Sequence, residues 1–517
     1  MELRFFGATA GTTGSCHLLR AGGHTVLLDC GLFQGRREES RARNERFGFE
    51  PARVDAVVQS HAHVDHSGKL PMLVRHGFHR RIYATSATRD LCEIMLHDSA
   101  RILLQDAEHL NRARVRKAYL TQRDRARRRA AEKADARRKR RGRRSDHGDE
   151  ALPNWHPNAT ARPEKAANLP AREVLPLFLD EDVDATMPLF ATREYGEWFE
   201  ATPNMRFRFH DAGHILGSAW VEGEIRDGRA LHRLVFTGDY GRKHQPILRD
   251  PEPLLPADVY VSESTYGNRV HPPFEDLERE LAAAVRRLAE RGRGRLLIPA
   301  FAVGRTQNVL YSLARIFREG LAPGVHVVVD SPLATEATKV VLRHPECFDE
   351  EALSEYRRLD TDRVLRRWLS FTDSVEASKA LNRDPRPTIV ISASGMLESG
   401  RILHHVAHHV ERDDAEILIV GFQAEHTLGR RLVEGAATVN VLGLAYTVRA
   451  RVKSLLGFSA HADRNELIAA LEPHARTARK LFLVHGEDDQ REPLARELSA
   501  RGFTSIERPS DARAYRI

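Results

Sequence analysis

The stretch His61-Ala62-His63-Val64-Asp65-His66 sets four potential metal ligands within six residues, directly after the apolar run 54–59. His61 and His63, two apart, can face one side of an extended segment, whereas Asp65 and His66 follow the turn and point elsewhere. Such a layout serves two adjacent cations better than one. His and Asp recur in three further turns: Asp211-Ala212-Gly213-His214, Thr237-Gly238-Asp239-Tyr240-Gly241 and Val484-His485-Gly486-Glu487. Each follows an apolar run and carries glycine, which lets the backbone bend tightly around an ion. Any one of them alone reads as an ordinary turn; together with the first cluster they read as ligands. The four cysteines (Cys16, Cys30, Cys92 and Cys347) are scattered without a C-x-x-C pair, so neither a disulfide framework nor a thiolate zinc site is indicated. A donor set of nitrogen and oxygen suits Zn2+ and tolerates Mn2+ or Fe2+. Two such ions ~3.5–4 Å apart lower the pKa of a shared water toward about 7, which supplies hydroxide at neutral pH.

Positioning these residues requires sheet edges. The first thirty residues read as strands joined by tight turns (3–6, 15–19 and 25–29), and 54–59 as a strand running into the histidine cluster, with a helix from near Gly68. From Asp90 the apolar positions take helical spacing (Leu91, Ile94, Met95, Ile102, Leu103) with no Pro or Gly before Gly142, so one helix can continue through a basic stretch. Between Arg112 and Arg144 stand 17 Lys or Arg against three acids, a net of +14 in a chain whose total is +8, which leaves −6 for the remainder. The basic character is therefore an arm and not a surface. From Gly142 to about Pro176 the composition is that of a linker or disordered loop, and 111–175 reads as an insertion. Strand-like runs return at 205–210, 219–225, 231–237 and 259–262. Beyond Asn268 helix and strand alternate (helices at 275–291 and 306–318; strands at 296–299, 325–329, 388–392 and 417–420), which implies a parallel sheet flanked by helices. With 517 residues, 41% hydrophobic and 29% charged, the chain reads as a soluble protein with room for several cores. No uncharged apolar run approaches ~18 residues and the start lacks a signal-peptide layout, so no membrane partner and a cytoplasmic location are expected.

The ordered set of Asp29, the cluster from His61 to His66, His214, Asp239 and His485 resembles the motifs of the metallo-β-lactamase-fold hydrolases. More narrowly, Glu263 in Ser262-Glu263-Ser264-Thr265-Tyr266-Gly267 and His461 in Gly457-Phe458-Ser459-Ala460-His461-Ala462-Asp463, with His485, resemble the β-CASP nucleases, the branch that includes RNase J and the pre-mRNA 3′-end-processing endonuclease. The segments 28–35, Phe301-Ala302-Val303-Gly304-Arg305 and 394–397 are also similar to bacterial and archaeal members, and the likeness spans nearly the whole chain except 111–175. It implies an α/β fold: a metallo-β-lactamase αββα sandwich (1–267 and 447–517) interrupted by a β-CASP domain (268–446). It also implies that His61, His63 and His214 hold one metal and Asp65, His66 and His485 a second, with Asp239 bridging; two Zn2+ are expected, with Mn2+ as the alternative. His461 would be the general acid for the departing 3′-oxygen, worth ~10²–10⁴ in rate, with Glu263 hydrogen-bonded to its ring. Asp65 and Asp239 join these two in the catalytic set, and Asp29 orients a ligand histidine from behind. Ser392, Ser394 and Gly395, which follow the run 388–391, are candidate substrate-binding residues of a phosphate cradle, as is Ser459. His404, His405, His408 and His409 fall at helical spacing and read as a half-exposed helix face.

The activity implied is a metal-dependent ribonuclease that hydrolyses phosphodiester bonds with a two-metal-activated hydroxide. His485 favours RNA, because the DNA-repair members that resemble this group usually carry an apolar residue there. Ala460 precedes His461 where RNase J carries Gly, and the chain ends soon after His485 where RNase J has a further domain; both favour endonucleolytic cleavage, with 5′-exonuclease activity as an accompaniment. One alternative keeps the metals and takes a small-molecule ester, thioester or lactam, since the fold hosts many hydrolases; it leaves Glu263, His461 and the inserted domain without a task. Another is a non-catalytic RNA-binding subunit, in which ligands would be lost, whereas all seven are present. The arm carries no aromatic beyond Tyr119, so it would contact phosphates and not stack on bases. RNA is the expected partner, and a homodimer is the assembly kept open.

Overall fold

The computed structural model describes the chain apart from Arg36, 142–172, Leu321, Pro323, 360–367, Asp373, Phe422, 424–426 and 456–458. Two seven-stranded sheets are built from the runs of alternating burial near the N-terminus and from 198 onward. The first orders its strands Ala514–Arg516, Glu2–Phe5, His17–Ala21, His24–Leu28, Ala56–Val58, Arg81–Ala84 and Phe190–Thr192. The second runs Ile506–Glu507, Lys480–Leu483, Val259–Ser262, Ala230–Phe236, Ala219–Asp227, Met205–Asp211 and Trp198–Thr202. Side chains of alternate residues, such as Leu3, Phe5, Val26 and Leu28 from one sheet and Phe207, Phe209, Val221 and Phe236 from the other, share one core. The opposite faces are also apolar and take helices. Leu18, Leu27, Val57 and Ile82 pack with Leu70 and Leu73 of the helix Leu70–Arg75. Trp220, Val235 and Tyr260 pack with Leu467 and Leu471 of Arg464–Leu471 and with Leu494 and Leu498 of Asp488–Ala500. The layers are therefore helix, sheet, sheet, helix.

A third sheet, entirely parallel, orders Leu369–Phe371, His326–Val329, Thr388–Ser392, Arg295–Pro299, Ala415–Ile419 and Arg451–Ser454. Its inner strands Thr388–Ser392, Arg295–Pro299 and Ala415–Ile419 are buried on both faces, as crossover helices require. Leu296 and Ile298 face the helices Phe274–Arg291 and Arg305–Arg318, while Leu297 faces Ile402–His409. The strand Arg451–Ser454 lies beyond residue 446, so the inserted sheet takes an edge strand from past the expected return point. The insert also touches the sandwich where Asp349 N donates to Ile247 O at 2.9 Å and Arg249 Nε to Phe348 O at 3.3 Å.

The helix that leads into the basic arm spans Ser86–Arg141, 56 residues, as its uninterrupted spacing suggests. Residues Ala100–Leu179 form a compact unit of their own. Within it the Asn111 amide both donates to Val174 O (3.0 Å) and accepts from Val174 N (2.9 Å). The expected linker from Gly142 lies, over 142–172, outside the described residues. Among the described residues no helix is long and apolar enough to cross a membrane.

Candidate metal centre

The sequence-predicted ligands collect at one edge of the sandwich because strands of like direction end there. His61 follows Ala56–Val58, His214 follows Met205–Asp211, Asp239 follows Ala230–Phe236 and His485 follows Lys480–Leu483. His61 and His63 are extended, as their spacing suggests. Where the sequence suggested a helix from near Gly68, the chain instead makes a one-turn helix Val64–Ser67 carrying Asp65 and His66, then Leu70–Arg75. Close backbone passages pin the turns together. Ser15 N donates to Asp65 O at 2.8 Å and Cys30 N to His66 O at 2.7 Å. A Cβ on Gly31 would stand 1.6 Å from Asp65 O, and one on Gly241 2.0 Å from Gly213 O, so only glycine lets these segments approach.

Among the described residues three donor groups result, each with its ligand atoms within 4.8 Å of one another: His61, His63, His214 and Asp239; Asp65, His66 and His485; and, overlapping both through Asp239 and His485, Asp239, His461 and His485. The two carboxylate oxygens of Asp239 face different groups. Oδ2 lies 3.4 Å from His61 Nε2 and 3.4 Å from His214 Nε2, while Oδ1 lies 3.1 Å from His66 Nε2 and 3.4 Å from His485 Nδ1. Ring nitrogens converge as well: His61 Nε2 and His63 Nδ1 are 3.1 Å apart, as are His66 Nε2 and His485 Nε2. Asp239 is buried, yet its Oδ1 makes no hydrogen bond. Its nearest neighbours are the rings of His66 and His485, and a buried carboxylate oxygen so poorly partnered is costly unless a cation completes its surroundings. Burial pushes His61, His63 and His214 below the usual imidazole range, His63 to about 3, so their rings are neutral and can ligate. Burial opposes the charge on Asp65, but His485, 3.6 Å away, and His66 together outweigh it and hold that carboxyl well below its ordinary range. The chemistry of the donors and the orphaned oxygen both fit a metal centre.

Asp29 sits behind this array, fully buried at a positive φ of 58°. Its Oδ2 is 2.6 Å from His66 Nδ1, and it accepts from Ser60 N (2.7 Å), Ser60 Oγ (2.8 Å) and Gln59 Nε2 (3.1 Å). His461 stands at the mouth. The segment 460–462 is stitched to the Asp239 turn by Arg242 N to Ala460 O (3.0 Å) and Ala462 N to Tyr240 O (2.8 Å). His461 Nδ1 is 3.1 Å from both oxygens of Glu263, and Nε2 lies 3.9 Å from Asp239 Oδ2. Glu263 is itself fully buried and accepts from Tyr240 N at 2.6 Å. Burial works against a charged His461, but Glu263 and then Asp239 outweigh it and raise the imidazolium to about 9.

The remaining candidates separate. Ser459 is buried and its side chain hydrogen-bonds Tyr266, whose ring lies 6.1 Å from that of His461. Ser392 is also buried, and its Oγ donates to Asp330 O at 2.7 Å, so its hydroxyl is turned into the sheet and is not presented to a substrate. Ser394 Oγ accepts from Glu398 N (3.1 Å) and Ser399 N (3.3 Å), closing its own loop, and Gly395 packs against the Phe301 ring. The helix carrying the four histidines is half-exposed as read, with the division running between them: His404 and His408 are exposed, whereas His405 and His409 are buried. His405 Nε2 lies 2.7 Å from Asp330 Oδ2, and both rings reach Asn382 Oδ1. Three supporting residues escaped the sequence reading. Ser60 contacts Asp29 and stands 3.0 Å from His61 Nδ1; Thr265 Oγ1 is 3.0 Å from His485 Nδ1; Ser218 Oγ accepts from His214 N at 3.0 Å. Ser60 adjoins a quoted motif and Thr265 lies inside one without a role read for it, whereas Ser218 carried no signal beyond its closeness to His214.

Residues 10–298 match the model of the metallo-β-lactamase superfamily, 306–432 that of the Beta-Casp domain and 445–507 that of the Zn-dependent metallo-hydrolase RNA specificity domain. A ribonuclease of Thermus thermophilus, TTHA0252, is 35% identical over 507 residues, covering 97% of each chain. The chain belongs to the β-CASP ribonuclease family. Other relatives of this β-CASP protein are named transcription termination factor FttA: that of Methanosarcina mazei is 28% identical and matches 95% of this chain and 69% of its own, and that of Methanothermobacter thermautotrophicus is 28% identical with 97% and 70%. A solved protein of unknown function from Enterococcus faecalis V583 superposes with a TM-score of 0.50 at 10% identity over 99% of each chain, a likeness of fold alone. The β-CASP chain is thus a metallo-hydrolase of the superfamily's RNA-acting branch.

Proposed function

We propose that this β-CASP protein is a metal-dependent endoribonuclease with two Zn2+ ions, replaceable by Mn2+, and with 5′-exonuclease activity as an accompaniment. The observation that carries the reading is Asp239, whose two oxygens face two separate groups of ligand atoms. His61, His63 and His214 would hold one ion, Asp65, His66 and His485 the other, and Asp239 both. A metal pair acidifies water to supply hydroxide near neutral pH and offsets charge on the phosphate oxygens. His461 turns Nε2 toward that place and gives its proton to the departing 3′-oxygen. Glu263, held by Tyr240 N, fixes the ring through Nδ1 and keeps it protonated. Asp29 orients His66 from behind by the same logic. The names ribonuclease and transcription termination factor on its relatives, with the RNA specificity domain, support RNA as the substrate. Ala460 before His461 supports the endonucleolytic mode. We take the sandwich as 1–267 with a return from the insert after the strand Arg451–Ser454.

The test is metal analysis joined to RNA cleavage. Wild-type protein carries two equivalents of Zn2+ and cleaves RNA, and chelation abolishes cleavage until metal is restored. Asp239→Ala loses both metal and activity. Undiminished cleavage after complete chelation would overturn the reading.

A further inference from the structure

Four arginines among the described residues are more than nine-tenths buried: Arg242, Arg295, Arg305 and Arg491. A buried guanidinium is tolerated when carboxylates or carbonyls satisfy it. Arg295 donates to the carbonyls of Gly294, Leu381, Asp384 and Arg386. Arg491 pairs with Asp488 at 2.7 Å, and Arg242 donates to Pro272 O at 3.2 Å with Glu466 and Asp463 among its electrostatic neighbours. Arg305 differs. Only 8% exposed, it alone of the four makes no side-chain hydrogen bond and no ion pair with any described residue; its Nε lacks a partner, as does the Nε of each of the other three. Its electrostatic neighbours are Tyr266 and a second cation, Arg242. Burial lowers it to about 10, which leaves it charged at neutral pH.

Its location gives this unmet charge a meaning. Arg305 opens the fourteen-residue helix Arg305–Arg318, whose N-terminal dipole also favours an anion. Gly304, the cap of that helix, lies against Ile215, the neighbour of His214; a Cβ there would be 3.3 Å from the Ile215 side chain. Tyr266, hydrogen-bonded to Ser459, is an electrostatic neighbour of Arg305, and its ring lies 6.1 Å from that of His461. The guanidinium is therefore on the His461 side of the metal centre, where the departing 3′-oxygen and its nucleotide lie in the ribonuclease reading. A planar fork of donors there matches the oxygens of a phosphate.

We propose that Arg305 binds the RNA backbone phosphate immediately 5′ of the scissile one and so positions the leaving nucleotide for His461, an inference that rests on the ribonuclease reading above. The phosphate satisfies the charge that the described residues leave unpaired. Arg305 is thus a positioning residue whose contribution appears in substrate binding more than in the chemical step.

The experiment compares metal-loaded wild type, Arg305→Gln and Arg305→Lys on a single-stranded RNA with one cleavage site. The RNA is unmodified or carries a neutral methylphosphonate at the phosphate one step 5′ of that site. Loss of one charge-assisted contact raises KM about ten- to hundredfold for Arg305→Gln on unmodified RNA. The modified RNA costs wild type a similar factor and costs Arg305→Gln nothing further. Arg305→Lys, which keeps the charge without the fork, falls between and remains informative should the Gln variant fold poorly. Metal content stays unchanged and the Tm of Arg305→Gln without RNA does not fall, because an unpaired buried charge has been removed; an arginine with a merely structural role would lower it. Independent, multiplying losses from the variant and the modification would overturn the proposal while leaving the ribonuclease reading intact. Failure of wild type to cut the unmodified RNA would remove that reading, and the proposal with it.

Discussion

His461 offers Nδ1 to both oxygens of Glu263, which leaves Nε2 for the reacting group. His461→Ala is therefore expected to lower turnover by about 10²–10⁴ while the metal content, measured by mass spectrometry, stays at the wild-type value. Near-normal turnover would remove His461 from the acid role. Glu263 sets the pH range. An acid must be protonated to act, and with its imidazolium raised to about 9, His461 in that role is expected to work through neutral pH and to fail as the pH climbs through that value. Glu263→Gln keeps a hydrogen-bonding group and deletes the charge that raises the ring, so the alkaline limb of kcat/KM moves to lower pH. A limb that did not move would mean that another group titrates there. These roles were legible in the sequence only through the resemblance. Glu263 and His461 are 198 residues apart, and no local spacing says that they meet.

At the scale of elements, the strands that deliver ligands were readable because each is a buried apolar run ending in a glycine turn. The edge strands Phe190–Thr192, Leu369–Phe371 and Arg451–Ser454 were not, since they are short and partly exposed and owe their form to a neighbour's hydrogen bonds. Nor was the cluster around Asp330, where Ser378, Thr372, Arg401 and His405 arrive from separate segments onto one buried carboxylate. Burial opposes that charge, but these donors, His405 first, hold the carboxyl well below its ordinary range. A depressed carboxylate gives stability that is present above its unfolded pKa and lost as pH falls through the folded value, here below about pH 4. Asp330→Ala is expected to cost about 3 kcal/mol at neutral pH and to weaken the acid dependence, as read by denaturant unfolding at two pH values. The basic helix carries a separate prediction. Removing 111–150 should weaken RNA binding and flatten its salt dependence while metal-dependent cleavage persists. An unchanged salt slope would detach the arm from RNA.

Across the whole molecule, the seven candidate ligands come from segments scattered between residues 61 and 485, and only closure of the two sheets brings them to one edge. Their identities were legible because His and Asp at sheet-end turns have few other uses in such number; their pairing into two groups around Asp239 came from the resemblance alone, and the distances that fit it come from the fold. Arg305 could be quoted from sequence as part of a motif, but that its charge goes unpaired is a property of the packed structure. The measurement that bears most directly on the central claim uses one RNA labelled at its 5′ end, prepared with a 5′-monophosphate or a 5′-hydroxyl, and incubated with the Zn2+- or Mn2+-loaded protein and with chelator. The account predicts metal-dependent internal fragments from both forms. Mononucleotides released only from the monophosphate form would contradict the endonucleolytic mode, and the absence of metal-dependent cleavage of either would contradict the account as a whole.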